Sequence, residues 1–458
     1  MRAPVSGYAA ALCALVLSTA GSLAFAQGTA PRVPGTPGVP SAAEAAAQVP
    51  VPPAAAASTA ARQILDRARP AVIQIKGFFG TNTSEAFHGT GFAVAPGGVF
   101  MTNWHVVSDA VLYPDKYRLE YRTAAGATGR ITVRAIDVRH DLAVVEAVGF
   151  APAPLELAHD TSRGERAYSI GFPLDVGLTI TEGVSNGRVE DSFQPRIHYS
   201  GALNAGMSGG PGLDAAGRVI GVNVAGYLLS QLVAFFVPAE YAIALLASSA
   251  KTPLDARHAR DEIARQLREH SEAVLAALAT PLVLQAHQGY DLPGKLAAFV
   301  ECHAAGDPAP DQPVQVERVS CDAKSSLYVA SNLNSGGLSF RHQVLRTGTL
   351  DAWRFASRLQ AAASPPGSGF GFGVGGNRQL APFACTQDDV LLDGMEANAI
   401  VCLRAYRKFD GIYDLRVHVV SKNQAKRGIV STLWLTGVSA TSALAFAKIY
   451  LAAIRWKP

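Results

Sequence analysis

Gly206-Met207-Ser208-Gly209-Gly210-Pro211 is the stretch from which the rest of this chain is best read. A serine flanked by glycines can sit on a tight turn with its hydroxyl exposed, because glycine adopts backbone angles that other residues avoid. The same turn can aim backbone N–H groups at a developing oxyanion. A serine alone is a poor nucleophile, so a base must lie within hydrogen-bond reach and a third group must orient that base. Thr102-Asn103-Trp104-His105-Val106-Val107 offers the base, at the end of a strand-like run. His140-Asp141-Leu142-Ala143-Val144-Val145 offers the orienting carboxylate, at the edge of an apolar strand. The chain order His, Asp, Ser is one of the known convergent orders.

Around these motifs, residues 71–250 read as short strands punctuated by glycine. Val72–Lys76, Gly91–Val94, Tyr117–Arg122 and Ile131–Ile136 are rich in β-branched and aromatic residues, as are Ala167–Ile170, Leu178–Thr181, Val219–Val224 and Leu232–Val237. Several alternate apolar with polar, as half-buried strands do. Many short strands with glycine turns predict β-barrels or a sandwich.

These segments resemble the trypsin-like, chymotrypsin-fold serine peptidases, particularly their bacterial HtrA-like branch, over residues 63–250. The carrying residues are Gly89-Thr90-Gly91-Phe92, the three motifs above, and Val237-Pro238 after the last strand. The resemblance implies two antiparallel six-stranded β-barrels. It makes Ser208 the nucleophile, His105 the general base and acid, Asp141 its orienter, and the N–H groups of Gly206 and Ser208 the oxyanion hole. It also puts Ala202 at the base of the primary substrate pocket, where the family carries Asp when it cleaves after Lys or Arg. Leu203 follows, and Val224, Ala225 and Gly226 form the opposite wall. An apolar pocket cannot compensate the desolvation of a cationic side chain, so small or medium aliphatic residues are expected there. Met207 departs from the branch, which often carries Asn, and no PDZ-like carboxylate-binding loop follows the barrels. The implied activity is a serine endopeptidase acting on proteins or peptides, with no cofactor. The alternative is a catalytically silent binding or scaffolding protein on the same fold.

The flanking regions read differently. Arg2, the apolar run Tyr8–Leu17 and Ala24-Phe25-Ala26 before Gln27 form a signal-peptide pattern, which implies periplasmic or secreted localisation for residues 27 onward. Cys13 lacks the small preceding residue of a lipoprotein site. Residues 27–60 are an Ala/Pro-rich linker, and a short helix is expected over 60–69, stopped by Pro70. Residues 61–250 form the peptidase domain. An amphipathic helix spans 254–280, with Ile263, Leu267, Val274 and Leu278 on one face. Residues 281–458 form an α+β accessory region, with strands at 326–330 and 413–420 and a closing helix through Phe446, Ile449, Tyr450 and Ile454. Leu345–Ala356 and Leu435–Ala447 resemble each other, as a tandem duplication would. The mature cysteines, Cys302, Cys321, Cys385 and Cys402, all lie in this region. Local pairing of Cys302 with Cys321 and Cys385 with Cys402 is the simplest of three connectivities.

Composition narrows the function classes. Charged residues are 17% of 458 and the net charge is +4. That is well under the usual ~25% charged and argues against nucleic-acid binding, which needs clustered Lys and Arg. Hydrophobic residues, at 49%, suffice for a large core, and no later run is long enough to span a bilayer. Gly371–Gly376 fits a dinucleotide-loop pattern but has neither the strand nor the helix that pattern needs. His88, His140, His159, His198 and His303 show no metal-ligand spacing. Asp109, Asp115, Glu182 and Asp191 read as solvated loop charges.

Overall fold

The computed structural model describes residues 59–158, 162–224, 232–250, 252–306, 311–363 and 379–457. The expected signal peptide, the linker up to residue 58, His159, the 371–376 glycine loop, and Ala225 and Gly226 of the pocket wall lie outside the described residues. All of the described residues belong to one compact unit, Ala57–Pro458.

The first helix, α1 (Thr59–Ala68), runs into a 3-10 turn containing Pro70, whose missing N–H ends the α-helical ladder. Six strands follow: β1 (Val72–Phe79), β2 (Glu85–Ala95), β3 (Val99–Thr102), β4 (Tyr117–Thr123), β5 (Thr128–Asp137) and β6 (Leu142–Ala147). They close into an antiparallel barrel in the order β1-β2-β3-β6-β5-β4. A helix, α2 (Trp104–Leu112), interrupts them between β3 and β4. The second barrel comprises β7 (Arg166–Gly171), β8 (Thr179–Arg188), β9 (Ile197–Tyr199), β10 (Pro211–Leu213), β11 (Val219–Val224) and β12 (Ala234–Pro238). It closes in the order β10-β11-β12-β9-β8-β7. The fold is mainly β, with two six-stranded barrels of chymotrypsin type.

Strand alternation explains why the motif strands read as unbroken apolar runs. Ile73, Ile75, Ala93, Phe100, Ala143 and Val145 share one core with Leu119, Tyr121 and Val133 of the same barrel. Their neighbours Val72, Phe92, Met101, Leu142 and Val144 point the other way. They share a second core with Tyr168, Ile170, Val222 and Val237 of the other barrel. Both faces are buried, so both parities must be apolar.

After α3 (Ala239–Ser248), helix α4 (Ala256–Ala276) begins at Asp255, whose side chain caps the N–H groups of Arg257 and His258. It is shorter than the expected 254–280. Its first half buries Ala259, Ile263, Ala264 and Leu267 in the first barrel's core. Val274, and Leu278 beyond its end, belong to the core of the C-terminal region. The apolar stripe thus serves two cores in succession.

The C-terminal region opens with β13 (Leu284–His287) and β14 (Tyr290–Pro293). Then come β15 (Val300–Gly306), β16 (Gln315–Ala323), the hairpin β17 (Leu327–Ala330) and β18 (Leu333–Ser335), β19 (Leu338–Arg346) and α5 (Ala352–Ala363). The chain continues through β20 (Ala384–Leu392), β21 (Met395–Ala405), β22 (Tyr413–Ser421), β23 (Arg427–Val438), α6 (Ala440–Ala452) and β24 (Arg455–Trp456). Seven of these strands form one sheet, β15-β16-β19-β23-β22-β21-β20, while β13, β14 and β24 form another. The two similar stretches each run from a central strand into a helix, β19 into α5 and β23 into α6. Those strands pair antiparallel from Leu338↔Leu435 to Arg346↔Arg427. Cys302–Cys321 and Cys385–Cys402 are disulfide-bonded. Each joins directly opposed residues and ties an edge strand to its neighbour, at opposite ends of the seven-stranded sheet. In α6, Phe446 and Tyr450 are buried and Ile449 is exposed, while Ile454 lies past the helix end.

Candidate active site

His105 does not end a strand. It stands in the first turn of α2, directly after β3, so a rigid helix and a buried strand fix its backbone. Asp141 occupies the turn just before β6 with φ +62, a left-handed conformation that Asp tolerates better than most residues. That turn aims the carboxylate back at the helix. Asp141 Oδ1 accepts the His105 backbone N–H at 2.9 Å, and Oδ2 lies 2.7 Å from His105 Nδ1. The Asp141 carbonyl accepts from the Asn103 side chain at 2.8 Å and from the Trp104 N–H at 3.2 Å. Four hydrogen bonds therefore hold Asp141 against the start of the histidine helix, one of them between its carboxylate and the imidazole.

Burial disfavours a charged His105 ring, but the adjacent Asp141 charge and its hydrogen bond outweigh this. The imidazole pKa is held above its ordinary value. An imidazole anchored through Nδ1 presents Nε2 as an acceptor to whatever lies on its other side.

Ser208 lies in the turn between β9 and β10, and Thr90 of β2 holds that turn from the first barrel. Thr90 N–H donates to the Ser208 carbonyl at 2.8 Å, and Thr90 Oγ1 donates to the Gly206 carbonyl at 2.7 Å. Asn223 of β11 holds it from behind, donating through Nδ2 to the carbonyls of Met207 and Ile170, each at 3.1 Å. Gly206 and Gly209 have φ +94 and +84. A Cβ at Gly206 would fall 2.3 Å from the Phe172 carbonyl oxygen, and one at Gly209 would fall 2.2 Å from Thr102 Oγ1. Space and backbone angle both demand glycine at these two positions.

Among the described residues, the N–H groups of Gly206 and Ser208 donate no hydrogen bond within the chain. No hydrogen bond joins the His105 ring to the Ser208 hydroxyl among them either. Such contacts are commonly long in a free site and tighten when substrate is bound. The arrangement offers an oriented base, a hydroxyl on a glycine turn and two unspent N–H donors, the parts needed for acyl transfer.

Ala202 is exposed, and Leu203 and Val224 are half-buried. Beside them, Thr181 Oγ1 donates to the Ala202 carbonyl at 2.9 Å, and Tyr199 Oη donates to the Thr181 carbonyl at 2.9 Å. Asp109, read from sequence as a solvated loop charge, is on α2 and accepts from Ser331 Oγ at 2.8 Å. Glu182 is likewise paired, with Arg166 at 2.8 Å. Among the described residues no cluster of His, Cys, Asp or Glu could hold a metal ion, and no helix is long and apolar enough to cross a membrane.

Thr90 and Asn103 sit inside motifs quoted above without having been given a role. Asn223 was legible only as the single polar residue of an apolar strand. Tyr328, whose ring meets His105 edge-on with centroids 5.9 Å apart, left no sequence signal at all.

A fold of two six-stranded barrels, with a hydrogen-bonded His–Asp pair in the first and a serine on a glycine turn of the second, is that of the trypsin-like peptidase class. Residues 89–222 match the trypsin-like peptidase domain, and the chain carries such a domain, of the kind found in HtrA serine proteases. It is 31% identical to human serine protease HTRA3 over 176 residues, 35% of this chain and 39% of that protein. It is 33% identical to a probable periplasmic DegP-like serine endoprotease of Chlamydia pneumoniae over 150 residues, 31% of this chain and 30% of that one. Both matches span well under half of the relative's length. A solved serine endoprotease from Yersinia pestis is 22% identical with a TM-score of 0.35, covering 41% of this chain and 65% of that one.

Proposed function

We propose that the protein is an exported serine endopeptidase in which Ser208 attacks the scissile carbonyl. His105 takes the hydroxyl proton and passes it to the leaving amine, while Asp141 keeps the imidazole in the right tautomer. The oxyanion rests on the N–H groups of Gly206 and Ser208. The observation that carries this reading is the 2.7 Å contact between His105 Nδ1 and Asp141 Oδ2. The residue pattern from Arg2 to Gln27 supports export to the periplasm or beyond. Ala202, which supplies no carboxylate, and the apolar side chains of Leu203 and Val224 support cleavage after Val, Ala or Leu. The paired central strands β19 and β23, each leading into a helix, support an accessory region built by duplication.

The test is active-site labelling. A fluorophosphonate probe should tag the full chain and not Ser208→Ala. A folded protein that stays untagged, with and without cell-envelope extract, would instead favour a non-catalytic platform.

A further inference from the structure

We propose that the accessory region completes the catalytic machinery. Its segment 325–331 braces the helix carrying His105, and Tyr328 is a positioning residue for that imidazole. The proposal rests on the serine peptidase reading above and adds a part that the peptidase domain does not contain.

The contacts run along one short stretch of chain. Val329 is buried, and its carbonyl accepts the indole N–H of Trp104, the residue next to His105, at 3.1 Å. The Tyr328 hydroxyl lies 3.3 Å from Ser108 Oγ, one helical turn beyond His105, and its ring edge meets the imidazole. Ser331 Oγ donates to Asp109. At the other end, the carbonyls of Ser325 and Ser326 each lie 3.4 Å from Gln194 Nε2, in the β8–β9 loop of the second barrel. Phe193 of that loop packs edge-on against His270 of α4, whose Nε2 is 2.7 Å from the Ser325 carbonyl. Five residues within one seven-residue stretch therefore touch the histidine helix of one barrel and a loop of the other.

Physical chemistry makes this more than packing. Trp104 is fully buried, so its indole N–H needs a partner, and the partner comes from outside the peptidase domain. General base catalysis tolerates little error in the imidazole, and a displacement of about 1 Å can cost ~10²-fold in rate. The Tyr328 ring also keeps water from one edge of His105, and exclusion of water depresses an imidazole pKa. Among the described residues, the charged groups acting on Tyr328 are Asp109 and Asp141, and Arg196 acts in turn on Asp141; every variant below retains all three.

The experiment labels the full chain and its Tyr328→Phe, Tyr328→Leu and Ser208→Ala variants with a fluorophosphonate from about pH 5 to about pH 9, alongside each unfolding temperature. Tyr328→Leu, if folded, should be acylated ~10- to 100-fold more slowly. The acidic limb of its rate profile should move to higher pH, because water reaches the ring. Tyr328→Phe keeps the ring edge and loses only the hydroxyl contact, so its rate should fall about threefold, the net worth of one hydrogen bond, with the limb unmoved. A folded Tyr328→Leu that labels at the wild-type rate with the same limb overturns the proposal. If that variant does not fold, a wild-type rate for Tyr328→Phe overturns it. A folded wild-type protein that is never tagged refutes the peptidase reading itself, and this proposal with it.

Discussion

Thr90 Oγ1, on a strand of the first barrel, donates to the carbonyl of Gly206, on the Ser208 turn of the second, across 2.7 Å in a fully buried setting. The same hydroxyl accepts the Phe172 N–H at 3.1 Å, so one side chain ties three segments together at the barrel junction. Thr90→Val is isosteric and removes both bonds. It should destabilise the fold by ~1–3 kcal/mol, the cost of leaving buried groups unpaired. Fluorophosphonate acylation should also slow, because the turn carrying Ser208 loosens. Urea titration with a labelling time course checks both, and unchanged stability would contradict the assigned role.

In the proposed mechanism acylation requires neutral His105. Since Asp141 holds the imidazole pKa above its ordinary value, the acidic limb of kcat/KM should lie above the reference ~6.5. Activity falls as pH drops through that value. The ion pair's contribution to stability runs the other way: it is fully present below ~6.5 and is lost as pH rises through the folded pKa. Asp141→Asn should cost about 10⁴-fold in kcat by favouring the wrong tautomer. A rate that is flat from about pH 5 to about 8 would refute the base.

Cleavage should follow Val, Ala or Leu. Ala202 supplies no carboxylate, and an unpaired cationic side chain in an apolar pocket retains its full desolvation cost. Profiling with a peptide library measures this directly. A preference for Lys or Arg would show that some other group supplies the missing charge.

A chain ending at Ser249 should not fold cooperatively. It would strip Ile263, Leu267, Val329, Leu333 and Phe409, with their neighbours, from the core they share with Ile73, Phe100 and Val145. At ~1.5–3 kcal/mol per buried side chain this matches or exceeds the 5–15 kcal/mol stability of an ordinary domain. The Val138 N–H would also lose its 2.6 Å bond to the buried Gln266 side chain. Circular dichroism during heating would decide, and a sharp native-like transition in the truncated chain would count against the shared core.

Sequence by itself carried the catalytic candidates and a choice between barrels and a sandwich, which the family resemblance narrowed to two barrels. Their signals are local: glycines at a tight turn, a serine between them, and short strand runs rich in β-branched and aromatic residues. The cysteine partners were also within reach, since each pair sits on adjacent strands joined by a short connection. Tertiary structure alone decided the rest. That His105 belongs to a helix depends on how β3 ends against Asp141, 36 residues on. That Thr90 reaches Gly206, and Tyr328 reaches His105, depends on contacts between segments 116 and more than 200 residues apart. Such contacts leave no periodicity or spacing in the chain. Only the joint packing of the barrels, α4 and the β17–β18 hairpin around common cores brings those side chains together.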